Sequence, residues 1–241
     1  MIANAHNFER FKAKRPGMLD YAELGRLVFS KLNVFVGEMN KAQFQRAEEH
    51  RLICGEKLDD LASAPDFRRA TVRWSEFLTS HHRWFTRMQQ AFGSGPSSAW
   101  FGKLKALRRD SQLLTYLHQA RHADEHGLDP IAEGQGASFV MGRGGAALRI
   151  ESLTINNGQI AVSGSEGGLP IVPEFIPSHL KLNPVIQRGV VYQPPAAPVV
   201  RPPLVATVNV PLTALQAGAK CKAIMSDKAI EGAEHLDKAG L

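Results

Sequence analysis

The chain has 241 residues, 44% of them hydrophobic and 22% charged, with a net charge of +6 and a pI near 9.5. This is ordinary globular composition and long enough to bury a substantial core. It excludes a disulfide framework, because there are only two cysteines, and a spanning helix, because no apolar run is long enough. The basic excess sits in the first half and favours anionic partners such as nucleic acid. Residues 1–17 lack the apolar run of a signal peptide, so a cytoplasmic protein with no membrane partner is expected.

Residues 1–17 are polar and basic and read as a loosely held arm. Helical spacing of apolar residues then predicts a helix over 19–36 stopped by Gly37, and a second over 40–62. Pro65 suits the first turn of a third helix, over 66–91, which carries Phe67, Ala70, Trp74, Phe77, Leu78, Trp84, Phe85 and Met88. After the loop at 93–98, Ser97 or Ser98 can cap a fourth helix over 99–126. Gly127 would end it in the left-handed conformation, with Pro130 beyond as a further stop. All three tryptophans and ten of the twelve phenylalanines precede residue 130, which puts the main core in the helices.

Beyond Gly127 the chain turns glycine-rich and β-like. Runs at 147–155 and 159–163 flank Asn156-Asn157-Gly158, a hairpin signal. The apolar parity changes between Ile150 and Leu153, which predicts a bulge. Further β-like runs lie at 169–176 and 185–192, and 193–203 reads as an extended polyproline linker. One more strand, over 204–210, and a weak terminal helix over 212–238 follow. The fold expected is α+β: an antiparallel four-helix bundle over 18–128, a small β-rich domain over 134–192, the linker, and a strand plus C-terminal helix over 204–241.

The chemistry concentrates at Arg121-His122-Ala123-Asp124-Glu125-His126. At about 100° per residue, His118, Arg121, His122, Glu125 and His126 share an arc of roughly 140°. Leu113, Tyr116, Leu117, Ala120 and Ala123 lie opposite and must face the bundle. Asp124 stands at the boundary and calls for a charged partner from another helix. Three readings of the polar arc are open. Histidine moves protons near neutrality and arginine holds phosphate oxygens in a fork, a pairing suited to RNA cleavage through the 2′-hydroxyl. Histidines four apart share a metal ion, but His118 and His126 are about 12 Å apart along the axis, so the series needs ligands from elsewhere and no metal site is assigned. Third, Arg121 and Glu125 pair at i, i+4 and the helix end is simply solvated.

Arg121-His122-x-x-x-His126 resembles the Arg-polar-x(3–5)-His motif of the HEPN superfamily. That resemblance implies an all-α bundle acting as a homodimer, a metal-independent RNase without cofactor, and Arg121 and His126 as the catalytic pair. His122 would be the polar residue after the arginine, with His118 and Glu125 supporting. The family's tyrosine two residues after the histidine is replaced here by Leu128.

Lys105, Arg108 and Arg109 cluster on the same predicted helix and could track RNA phosphates. In His81-His82-Arg83-Trp84 the tryptophan reads as core and the histidine pair as partly exposed. Cys54 and Cys221 have no activating neighbours and read as inert. The alternative to RNA chemistry is a non-catalytic module whose β-rich part binds a protein partner.

Overall fold

In the computed structural model the described residues are 21–127, 129–140, 148–156, 159–166, 169–171, 174–201 and 206–238; the N-terminal arm lies outside them. Helix α2 (Phe67–Phe92) shows why the helical half folds. Its buried residues Ala70, Trp74, Phe77, Leu78, His81, Trp84, Phe85, Met88, Ala91 and Phe92 recur at three and four, so one face is continuously apolar. Asp66 caps its start, accepting the Arg69 N–H at 2.7 Å. Pro65 stands just outside the helix, and the first turn begins at Phe67.

α1 (Tyr21–Ala62) is a single helix of 42 residues. Gly37 therefore does not separate two helices. One interior glycine costs about 1 kcal/mol relative to alanine, which a long helix outlasts. The converse holds for the expected fourth helix, which divides into α3 (Ser98–Asp110) and α4 (Gln112–His126). Ser111 between them has extended backbone, φ −86° and ψ 118°, and its Oγ accepts the Leu114 N–H at 3.3 Å. Thr115 Oγ1 donates to the Arg108 and Arg109 carbonyls at 2.9 and 3.0 Å, satisfying the end of α3. Ser97 occupies the cap position of α3 without a side-chain bond. Gly127 does end α4, but with φ −90° rather than left-handed. What requires glycine is the close approach, because a Cβ there would sit 2.5 Å from the Ala123 carbonyl oxygen.

The described strands pair only antiparallel, in small sheets. β1 (Ala132–Gln135) pairs with β7 (His179–Leu182), β2 (Ser138–Val140) with β6 (Glu174–Ile176), and β8 (Val185–Gln187) with β9 (Val190–Tyr192). β3 (Leu148–Asn156), β4 (Gln159–Glu166) and β5 (Leu169–Pro170) form the one three-stranded sheet described. Its register shifts between Ile150 and Ser152, the expected bulge, while the turn at 157–158 lies outside the described residues. Within the stretch expected as a polyproline linker, 193–203, residues 196–201 instead form β10 (Ala196–Arg201), paired with β11 (Ala206–Pro211), and 202–203 lie outside the described residues. A two-stranded sheet leaves each strand an unpaired edge, where proline's missing N–H costs nothing.

The strands do not stand apart from the helices. Ile131, Ala132, Leu180, Leu182 and Val185 are buried in the same cluster as Trp74 and Leu117. Gly134 lies so close to Phe67 that a Cβ would fall 2.2 Å from the ring. α5 (Ala214–Lys238), expected to add little core by itself, buries Ala217, Gly218, Cys221 and Met225 in that cluster; Gly218 meets Leu58 of α1. Cys54 and Cys221 are both free and buried, and burial pushes the Cys54 thiol up to about 12, which disfavours the reactive thiolate.

Tyr116 joins α4 to the strands. Its hydroxyl donates to the Asn183 carbonyl at 2.7 Å, while the Asn183 N–H donates to the Ile131 carbonyl at 3.0 Å. Tyr116→Phe keeps the ring and removes that bond. It is expected to lower unfolding free energy by about 1 kcal/mol in urea titrations; an unchanged midpoint would show the bond contributes nothing net.

Candidate functional site on the fourth helix

α4 presents its two faces as the wheel requires. Leu114, Tyr116, Leu117 and Ala120 are buried, while Glu125 and His126 are exposed. The polar arc, however, is not simply turned to solvent. α2 lies beside it and brings His82 against both His118 and His122. The ring centroids are 4.7 Å apart for His118–His122, 5.9 Å for His82–His118 and 6.1 Å for His82–His122.

Partial burial keeps this trio neutral at pH 7. His118 is lowered to about 4, first by burial and then by Arg108. His82 is lowered by burial and then by Arg121. His122 is lowered by burial and then by Arg121, with Glu125 opposing. His82 Nδ1 is buried without a hydrogen-bond partner. One residue back, His81 is 1% exposed, contrary to the expectation of a partly exposed pair. It lies between Phe77 and Phe85 at ring-centroid distances of 6.3 and 5.2 Å, and burial lowers it to about 3.

The two residues expected as the catalytic pair, Arg121 and His126, both lie against Glu125. Arg121 is 18% exposed and ion-paired to Glu125 one turn on, and its Nε is buried without a partner. His126 is 72% exposed, with Nε2 3.9 Å from Glu125 Oε2. Glu125 thus stands between them and occupies the guanidinium. Asp124 is exposed, and its interhelical partner is a hydroxyl rather than a charge: Ser75 Oγ donates to it at 3.1 Å.

Lys105, Arg108 and Arg109 belong to α3, beyond the break, and do not share one environment. Lys105 and Arg109 are exposed, and Arg109 pairs with Asp110 at 2.9 Å. Arg108 is drawn inward, its guanidinium carbon 5.0 Å from the Phe85 ring centroid. Its charge reaches His81, His82 and His118. A third arginine arrives from the strands. Arg188 and Gly189 have φ of 51° and 77° and form the two-residue turn between β8 and β9. The Arg188 charge disfavours protonation of His122.

Sequence reasoning therefore missed two members of the site, His82 and Arg188. In the run 81–84 the sequence shows His82 only as one of a partly exposed histidine pair. Arg188-Gly189 lies inside a stretch read as one β-like run, where the glycine was the available turn signal. Among the described residues no group of three or more His, Cys, Asp or Glu side chains could hold a metal ion. What the arrangement offers is three neutral imidazoles, able to accept or relay protons, with arginine charge around them. No protein-family model, curated protein or solved structure matches the chain.

Proposed function

We propose that this is an RNA-binding protein whose phosphate-recognising surface is the Arg/His face of α4. The observation supporting this reading is the convergence of Arg108, Arg121 and Arg188, from three separate elements, on the histidines of α2 and α4. Arginines hold phosphate oxygens through fixed donor forks and stay charged at any physiological pH. Following the HEPN resemblance, the active form is a homodimer of the helical part, taken as a four-helix HEPN-like bundle, and cleavage needs no metal. In that scheme His126 moves the 2′-hydroxyl proton and Arg121 stabilises the phosphorane charge. Glu125 holds Arg121 in the free protein, and an RNA phosphate displaces it.

The test is incubation of purified protein with total RNA and a defined tRNA, without metal. Arg121→Ala and His126→Ala are each expected to lower cleavage by about 10²–10³-fold, with wild-type products ending in 2′,3′-cyclic phosphate. Circular dichroism and light scattering check fold and oligomeric state. RNA binding without cleavage by wild type would leave a binding protein; neither binding nor cleavage would overturn the RNA reading.

A second reading, a protein-interaction module, is favoured by the β3–β4 hairpin. Leu148, Ile150, Leu153 and Ile155 are 42–68% exposed, and the bulge puts them on one face, paired with positions 166, 164, 162 and 160.

A further inference from the structure

Two arginines from different elements reach the histidines of α2 and α4. Arg108, near the end of α3, acts on His82 and His118. Arg188, in the turn between β8 and β9, acts on His122, one turn further along α4. These two charges are not matched. Arg121 and Glu125 neutralise each other as an ion pair. Among the described residues no carboxylate pairs with Arg108 or Arg188, and Glu125 is the one carboxylate whose charge reaches the trio. Two positive charges therefore stand uncompensated around imidazoles that burial keeps neutral at pH 7.

The excess is gathered at a point. The three rings lie within 6.1 Å of one another, and all three remain partly open to solvent. Beyond Arg108, Arg109 is tied to Asp110 at 2.9 Å, which shortens any basic track along α3. A phosphodiester backbone carries one charge per nucleotide and is met by basic residues strung along a groove. A phosphomonoester instead gathers about 1.5–2 negative charges and three acceptor oxygens on one phosphorus at pH 7. Two arginine forks with imidazole N–H donors between them complement the second kind of group better than the first.

We propose that this cluster holds the terminal phosphate of an RNA strand, gripped by Arg108 and Arg188 over His118 and His122. The inference rests on the RNA reading and names the part of the RNA that is read. With the end held there, the strand leaving it meets Arg121 and the exposed His126 on the same helix, so capture of the end sets which bond lies at that pair.

The full chain is titrated, with chelator present, into internally labelled RNA oligomers of one sequence. All are 2′-O-methylated, so binding is read without attack by a 2′-hydroxyl. One carries a 5′-phosphate, one a 3′-phosphate, and one hydroxyls at both ends. One of the phosphorylated oligomers is expected to bind at least about tenfold more tightly than the hydroxyl-ended one. Arg108→Gln and Arg188→Asn should each cut that preference to about threefold or less. Asparagine tolerates the left-handed backbone at 188, φ 51°, so that variant removes the charge and keeps the turn. Arg69→Gln, at the exposed start of α2, should leave the preference whole. If Arg108→Gln fails to fold, the wild-type ratio and Arg188→Asn decide. Equal affinity for the three oligomers overturns the inference and leaves the RNA reading standing, whereas binding of none overturns both. A preference that survives in both folded variants also overturns it. Displacement of the phosphorylated oligomer by inorganic phosphate at equal concentration would mark a site for free phosphate and overturn the strand-end assignment.

Discussion

Trp74→Ala is expected to lower the unfolding free energy by about 3–5 kcal/mol, a large part of the 5–15 kcal/mol typical of a domain. Trp74 is 0% exposed and stacks on Phe77, with centroids 5.2 Å apart and planes 12° from parallel. It sits on the buried face of α2, in the cluster that also takes in Leu58 of α1, Leu117 of α4 and Leu180 of β7. Its removal empties the volume of an indole where helices and strands meet, and a close-packed interior refills such a space only in part. For a chain of this length the loss corresponds to a fall in Tm of roughly 10–15 °C, followed by circular dichroism. Trp74→Phe should cost much less, since it keeps an aromatic ring and removes the indole Nε1, which is buried without a partner. A Tm for Trp74→Ala within about 3 °C of wild type would mean that α2 is not the centre of the core.

How much of this was readable beforehand depends on whether the physics was local. The buried face of α2 follows from spacing, and the apolar and polar sides of α4 follow from the same wheel. The α3–α4 break was harder to read. Leu104, Leu107, Leu114 and Leu117 keep helical phase across it, so the pattern runs on while Ser111 turns the backbone. Ser111 is a residue type that caps helices, and its side chain does so here. Gly37 is the opposite case, a breaker residue inside a helix that continues. The bulge in β3 was legible because a shift in alternation is itself a local property. In the site, the face of α4 could be drawn from sequence, but what covers it could not. His82 reaches His118 and Arg188 reaches His122 only through packing of α2 and of the β8–β9 turn. The Arg121–Glu125 pair, by contrast, lies within one helix at i, i+4 and could be read from spacing alone.

Acid should unfold this protein through its buried histidines. His81 and His118 are held neutral at about 3 and about 4, against 6.5 for a free imidazole. Below pH 6.5 the unfolded chain therefore binds more protons than the native state, and stability falls. Their contribution is whole above pH 6.5 and is lost as the pH drops through 5 toward 4. At 1.36 kcal/mol per unit of pKa difference, His81 alone removes on the order of 3 kcal/mol between pH 7 and 4, and His118, partly exposed and screened by solvent, adds less than its full shift. His82 and His122 are lowered as well and act in the same direction. Urea titrations at pH 7.5, 6, 5 and 4 measure the slope directly, and a flat profile over that range would refute it. His81→Leu separates the largest contributor. The ring is fully buried, and neither nitrogen has a hydrogen-bond partner. An apolar residue of similar volume removes both the proton site and two unmatched polar atoms. The variant should gain about 1–2 kcal/mol at pH 7.5 and lose about one proton's worth of slope below pH 6. Loss of stability at pH 7.5 would mean that the His81 ring packs too specifically between Phe77 and Phe85 to be replaced. An unchanged slope would move the acid sensitivity to the α4 cluster, where His118→Asn should flatten it instead.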